Sequence, residues 1–259
     1  MCLLVLAWQV DPRYRLILAA NRDEFHARPA AALAKWPENG ILAGRDLAAG
    51  GTWLGLDRER RFGIVTNFRE APAAASAGPS RGGLIPAYLA QQGSAQSFLA
   101  DLAPTAQDYS GFNILLGDAH ALWYASNRAP TFVRQLQPGI YGLSNRFLDT
   151  PWPKLTRVRR RFEDWLASAR KPSVRQLLPM LEDRTQSATA EDAYPADLAP
   201  EWRQVLSAPF VLNPVFGTRC STALMLTANG ALHVIERRFD ALGEMSGETE
   251  VELNATGWP

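Results

Sequence analysis

Two apolar runs at the start of the chain constrain its fold most. Residues 3–10 and 14–20 are rich in Leu, Val, Ile and Ala, and Asp11-Pro12-Arg13 separates them. A break of that chemistry is a turn, so the pair is read as a β-hairpin. Neither run alternates polar with apolar residues. Strands that are apolar on both sides belong to a sheet covered on both faces. The first run is only about nine residues long and no Lys or Arg precedes it, which fits a buried strand rather than a signal peptide or a membrane span.

An irregular stretch is expected from Asn21 to about Gly51, broken by Pro29, Pro37 and several glycines. Strands follow at 52–57 and 61–67, joined by the charged turn Arg58-Glu59-Arg60. Residues 71–80 (APAAASAGPS) form a surface loop, a candidate lid or pocket edge. Helices are expected at 83–92, with Ser80 before it, and at 94–103. Strands return at 112–116, 121–126, 131–136 and 140–143. Pro153 opens a helix over 154–168, whose Leu155, Val158, Phe162, Trp165 and Leu166 share one face and whose Arg157, Arg159, Arg160 and Arg161 are read as solvated. A shorter helix covers 173–183, a polar loop 184–200, and strands 220–226, 231–239 and 248–253. Strands, helices, strands, helices, strands is the order of an α+β fold rather than of repeating βαβ units.

The chain has 259 residues, 47% hydrophobic and 20% charged, which suits a single domain over 1–259. A formal net charge of +1 supplies no strong field toward nucleic acid or an acidic membrane. Cys2 and Cys220 make no disulfide framework, so a reducing, cytoplasmic location is expected. His26, His120 and His233 stand too far apart for a metal signature, and no CxxC is present.

Cys2 is the first candidate for chemistry. Methionine aminopeptidases remove Met1 when a small residue follows, leaving a thiol and a free α-amine on one residue. The amine, with an ordinary pKa of about 7.7–8.0, can take the proton of a thiol near about 8.5. A free Cys at a strand start is as readily a small buried hydrophobe. Asn21-Arg22-Asp23-Glu24 follows the second strand, and a hairpin brings that end beside the start of the first. Arg22 would favour a thiolate and Asp23 would orient the amine; an exposed ion pair in a turn is the plainer alternative.

MCLLVLAW followed by AANRDEF resembles the opening of the NRDE family, the family of Transport and Golgi organisation protein 2. The resemblance continues through GGTWLGLD (50–57), FGIVTNFRE (62–70), SRGGLI (80–85), GFNILLGD (111–118), YGLSN (141–145), PWPK (151–154) and GTRCSTALML (217–226). It implies a four-layer αββα sandwich of the N-terminal-nucleophile hydrolase type. The chemical relatives it implies, bile-salt hydrolases, penicillin V acylases and acid ceramidase, carry an N-terminal Cys, an Arg-x-x-Asp-type pair, two oxyanion asparagines and a late arginine. Carried onto this sequence, Cys2 is the nucleophile, Arg22 and Asp23 its positioning pair (adjacent here, unlike in the relatives), Asn67 and Asn145 the oxyanion donors, and Arg219 the late arginine. Arg219 is equally an ion-pair partner for Asp23 or Glu24.

Two functions follow from the resemblance. One is hydrolysis of a linear non-peptide amide, or a thioester, through an acyl-Cys2 intermediate, with no cofactor. The other is binding and trafficking of haem, lipid or acyl-CoA in the same pocket without turnover. A CxxCH motif is missing, so covalent haem attachment is not expected. Small-molecule amide, acyl or haem ligands are the expected partners, with neither nucleic acid nor stable membrane insertion. Trp8, Phe68, Tyr141 and Phe216 are read as core before pocket, Trp53 as either, Cys220 as packing, His26 as a loop residue, and Gly82-Gly83 as a loop-to-helix turn before an anion site.

Overall fold

The computed structural model describes residues 3–70, 78–188 and 198–259. In chain order its strands are β1 (Leu3–Trp8), β2 (Tyr14–Phe25), β3 (Ala30–Lys35), β4 (Leu42–Asp46), β5 (Leu54–Leu56), β6 (Phe62–Asn67), β7 (Phe112–Gly117), β8 (Leu122–Ser126), β9 (Val133–Leu136), β10 (Gly139–Leu143), β11 (Phe216–Thr227), β12 (Leu232–Phe239) and β13 (Met245–Leu253). The α-helices are α1 (Leu84–Ala90), α2 (Ala95–Leu102), α3 (Pro153–Ser168), α4 (Leu178–Leu181) and α5 (Pro200–Leu206). The chain divides into two compact units. The first takes residues up to Ala27 with Pro138–Ser144 and Leu148–Thr256; the second takes Arg28–Gln137, Asn145–Phe147 and Gly257–Pro259.

The first unit is built on an antiparallel sheet in the order β10-β1-β2-β11-β12-β13. The expected hairpin forms, with Leu6 opposite Leu18 and Trp8 opposite Leu16. All six residues of β1 are buried, so both of its faces are covered. Val5, Ile17, Ala19 and Ala223 of the sheet share a core with Leu155, Val158 and Phe162 of α3 and Leu178 and Leu181 of α4. Each of the Val, Ile, Leu and Phe side chains contributes about 1.5–3 kcal/mol on full burial. A β-carbon on Gly142 of β10 would come within 2.8 Å of Leu155 Cδ1, so the glycine lets α3 lie close to the sheet. On α3's polar side, Arg157 and Arg161 both reach Asp183 Oδ2, at 3.3 and 2.8 Å, and Arg159 reaches Asp149 and Glu163.

The second unit carries the antiparallel order β3-β4-β5-β6-β7-β8-β9. Ile85 and Tyr88 of α1 and Leu99 of α2 pack on Val65, Ile114 and Ala125. The GGTW and SRGG motifs meet here. Thr52 donates its N–H to the Gly82 carbonyl at 3.0 Å, and a β-carbon on Gly51 would lie 2.3 Å from Gly82 C and O. Gly82 therefore serves close backbone packing. The turn at Arg58-Glu59-Arg60 is held by Asp57, whose Oδ1 accepts from the Glu59 and Arg61 N–H groups.

Three expectations need correction. Residues 21–51 are not irregular: β2 runs on to Phe25, and β3 and β4 follow. The Asn-Arg-Asp-Glu segment stays extended because β11 pairs with it. The helix expected over 173–183 is a 3-10 turn, Val174–Leu177, followed by the short α4; Pro179 has no N–H to continue the helical ladder. α5, Pro200–Leu206, lies where no helix was expected. Residues 71–77 of the proposed lid and 189–197 of the polar loop lie outside the described residues.

Candidate active site

In the first unit Leu3 pairs with Asn21, so the start of β1 lies beside the Asn21–Phe25 end of β2. On the other side of β2, Ser221 faces Asn21, Cys220 faces Arg22 and Thr218 faces Asp23. Arg219 falls between them as the extra residue of a β-bulge, a device that re-aims a side chain and locally ends regular pairing. Strand alternation places Asn21 and Asp23 on one face and Arg22 on the other.

These polar side chains are buried, Arg22 and Asp23 at 3% exposure each and Asn21 at 0%. Burying charge is costly unless hydrogen bonds replace water. Thr218 Oγ1 donates to Asp23 Oδ1 at 2.7 Å while accepting the Val211 N–H at 2.9 Å. Asn21 is a brace. Its Nδ2 donates to the Leu181 and Pro209 carbonyls at 2.8 and 2.9 Å, and its Oδ1 accepts from Ser221 Oγ at 2.6 Å. Arg219 Nη1 donates to the carbonyls of Phe25 and His26, both at 3.0 Å. Burial, and then the neighbouring Arg22, lower the Arg219 pKa. Glu24 lies 3.8 Å from Arg22 and accepts the Phe25 N–H. Cys220 is wholly buried, which pushes its thiol far above the ordinary range and keeps it protonated. Cys2 and Met1 lie outside the described residues.

Asn67 and Asn145 belong to the second unit, where the structure brings them together. Asn145, 4% exposed, donates Nδ2–H to the Asn67 carbonyl at 3.0 Å, and its own carbonyl accepts the Arg69 N–H at 2.8 Å. One amide hydrogen of Asn145 is thus spent as a tether and the second is left over. The Asn67 side chain is exposed at the end of β6. Asn113 of β7, opposite Thr66 of β6, is fully buried. It donates to Thr66 Oγ1 at 3.2 Å and to the Arg146 carbonyl at 2.9 Å, and accepts from the Tyr124 hydroxyl at 2.8 Å. This network fixes the backbone that presents Asn145.

Against this geometry stands a family model described as Transport and Golgi organisation 2, which matches residues 1–241. The chain belongs to that family. Among relatives of the Transport and Golgi organisation 2 family, it is 34% identical over 259 residues to the Transport and Golgi organization 2 homolog of Mus musculus, covering 90% of this chain and 92% of that one. It is 27% identical over 267 residues to Transport and Golgi organization protein 2 of Drosophila melanogaster, covering 93% of each. Among solved structures, a variant of conjugated bile acid hydrolase from Clostridium perfringens aligns over 100% of this chain and 95% of its own, with a TM-score of 0.54 at 9% identity. A second variant of that enzyme, with alanine in place of its own second-residue cysteine, aligns at 0.52 and 7%. The chain therefore has the α+β fold of the N-terminal-nucleophile hydrolases.

The family motifs pointed to Arg22, Asp23, Asn67, Asn145 and Arg219 but not to the groups that hold them. Asn21 falls in the stretch expected to be irregular, Thr218 just before the strand expected at 220–226 and Asn113 within the strand expected at 112–116, and only pairing across the sheets gives them partners. Trp8 and Phe68 are buried, as is Trp53. His26 Nε2 donates to the Asn213 carbonyl at 3.0 Å. Among the described residues, no group of three or more His, Cys, Asp or Glu is placed to hold a metal ion, and no helix is long and apolar enough to cross a membrane.

Proposed function

We propose that this chain is an N-terminal-cysteine hydrolase that cleaves a linear non-peptide amide, or a thioester, through an acyl-Cys2 intermediate. The observation that carries the reading is the pair of buried charges, Arg22 and Asp23, at the end of β2 beside the start of β1. Cys2 directly precedes Leu3, the first residue of β1, in the sequence. Buried charge is costly to desolvate, and a cation and anion held beside a nucleophile are the groups that tune its proton affinity.

With Met1 removed, the α-amine of Cys2 takes the thiol proton and the sulfur attacks the carbonyl carbon. The C–S bond forms as the carbonyl oxygen becomes an oxyanion. Collapse breaks the bond to the leaving nitrogen, which takes the proton from the α-ammonium. Water, deprotonated by the same amine, then attacks the thioester, releasing the acid and restoring the thiol. Arg22 favours the thiolate and Asp23, held by Thr218, orients the amine. Asn67 and Asn145 as oxyanion donors rest on the family resemblance and on the unspent amide hydrogens of each; losing one such donor costs about 10²–10³ in rate.

The test is trapping. A short N-acyl amide or acyl thioester should leave its acyl group on the Cys2 peptide, and Cys2→Ala should leave none. An acyl adduct on another residue with Cys2 absent would overturn the reading. The relatives' names, which speak of transport, favour a carrier as the second reading. Saturable haem or acyl-CoA binding that Cys2→Ala leaves unchanged, without turnover, is its signature.

A further inference from the structure

Arg69 and Arg146 lie on the two backbone segments that the Arg69 N–H to Asn145 carbonyl bond joins. Both are half-buried. Among the described residues neither guanidinium has a carboxylate partner, and Arg69 Nη1 is buried without a hydrogen-bond acceptor. The nearby carboxylate is already taken: Glu70 is held by Arg128 through Nε and Nη2, and also accepts the Gly111 N–H. Arg146 is stacked over Phe68 and Phe147, 5.2 and 5.7 Å from the ring centres, and those rings lie 4.9 Å apart. The ring faces hold the cation by its π side and take up none of its N–H groups, which can then receive a planar or tetrahedral anion. A half-buried arginine without an acceptor costs desolvation that a structural role would offset with a carboxylate or a backbone carbonyl. Elsewhere in this chain that is done: Arg61 with Asp57, Arg159 with Asp149, Arg237 with Glu248.

We infer that Arg69 and Arg146 form a recognition site for the anionic group of a ligand, a carboxylate, sulfonate or phosphate carried on an apolar body that lies along the half-buried Phe147. The site stands next to the Asn67–Asn145 pair and would select acidic amphiphiles over neutral ones. Its binding is read without turnover, so the inference survives or fails independently of the hydrolase reading.

The probe is anilinonaphthalene sulfonate, with phenylnaphthylamine, the same ring system without the sulfonate, as its neutral counterpart. Titrated into the full chain and followed by fluorescence, the sulfonate should bind roughly tenfold more weakly to Arg69→Gln and to Arg146→Gln, about one charge-assisted hydrogen bond each. The neutral dye should bind all three proteins alike. Arg146→Lys, which keeps charge but loses the stacked fork, should recover less than half of the loss. Dodecanoate or dodecyl phosphate should displace the sulfonate at concentrations where inorganic phosphate does not. Sulfonate binding unchanged in both glutamine variants overturns the inference, as does equal loss of both dyes. Displacement by inorganic phosphate at the amphiphile's concentration would overturn the apolar body. Thermal unfolding of each variant separates lost binding from lost folding.

Discussion

Thr218→Val removes one hydroxyl and tests how the buried Asp23 is held. The Thr218 side chain makes two bonds, one given to the Asp23 carboxylate at 2.7 Å and one taken from the Val211 N–H at 2.9 Å. Thr218 is 1% exposed, so water does not replace either. A hydrogen bond to a charged group is worth about 1.5–3 kcal/mol, and a stranded buried N–H costs about 1–3 kcal/mol. The added methyl recovers part of this, leaving a net loss of about 3 kcal/mol. At about 2–4 °C per kcal/mol for a chain of this size, Tm should fall by about 6–12 °C. Urea and thermal unfolding followed by tryptophan fluorescence measure both. Thr218→Ser keeps the hydroxyl, loses one methyl and should cost about 1 kcal/mol. If valine costs under about 0.5 kcal/mol, or serine costs as much as valine, the hydroxyl does not hold Asp23 and the reasoning fails.

Three further outcomes are expected. Gly51→Ala should destabilise the chain by about 3 kcal/mol or more, because its β-carbon would meet the Gly82 backbone at 2.3 Å, whereas Gly83→Ala, with nothing within 4 Å, should be mild; equal unfolding midpoints for the two would refute the close approach. Arg128 holds the Glu70 carboxyl below its ordinary value of 4.5, so the pair's contribution is complete above that value and disappears as pH falls through the lower folded value. Glu70→Gln should therefore destabilise the protein at pH 7 and match wild type in acid; a penalty independent of pH would contradict this. Buried Cys220 should resist iodoacetamide at pH 8 in the folded protein and react in guanidinium chloride, as peptide mapping would report; rapid native labelling would contradict its burial.

The hairpin was legible because an apolar run on both faces has few structures open to it, and α3 because five apolar residues repeat at helical spacing. The NRDE segment was misread as irregular for a physical reason. Polar residues in a row signal a turn when their partners are local, but the Asn21 amide and Asp23 Oδ1 take hydrogen bonds with Leu181, Pro209, Ser221 and Thr218, 160 to 200 positions away. β3, AAALAK, was missed because alanine has low strand propensity and the strand lies at a sheet edge with several exposed positions. The Arg219 bulge is a property of pairing with β2, which no local pattern records. Asn67 and Asn145 were found through family motifs, while the use of Asn145 as a tether to Asn67 was not, since it depends on the segment whose Arg146 carbonyl Asn113 holds.

The most direct test of the central claim is the intact mass of the purified protein before and after brief exposure to a thiol-reactive acyl electrophile, with peptide mapping of any adduct. The account predicts that Met1 is gone and that a single acyl group sits on Cys2, with Cys220 unmodified. A retained Met1, or an electrophile that leaves Cys2 bare, would contradict it.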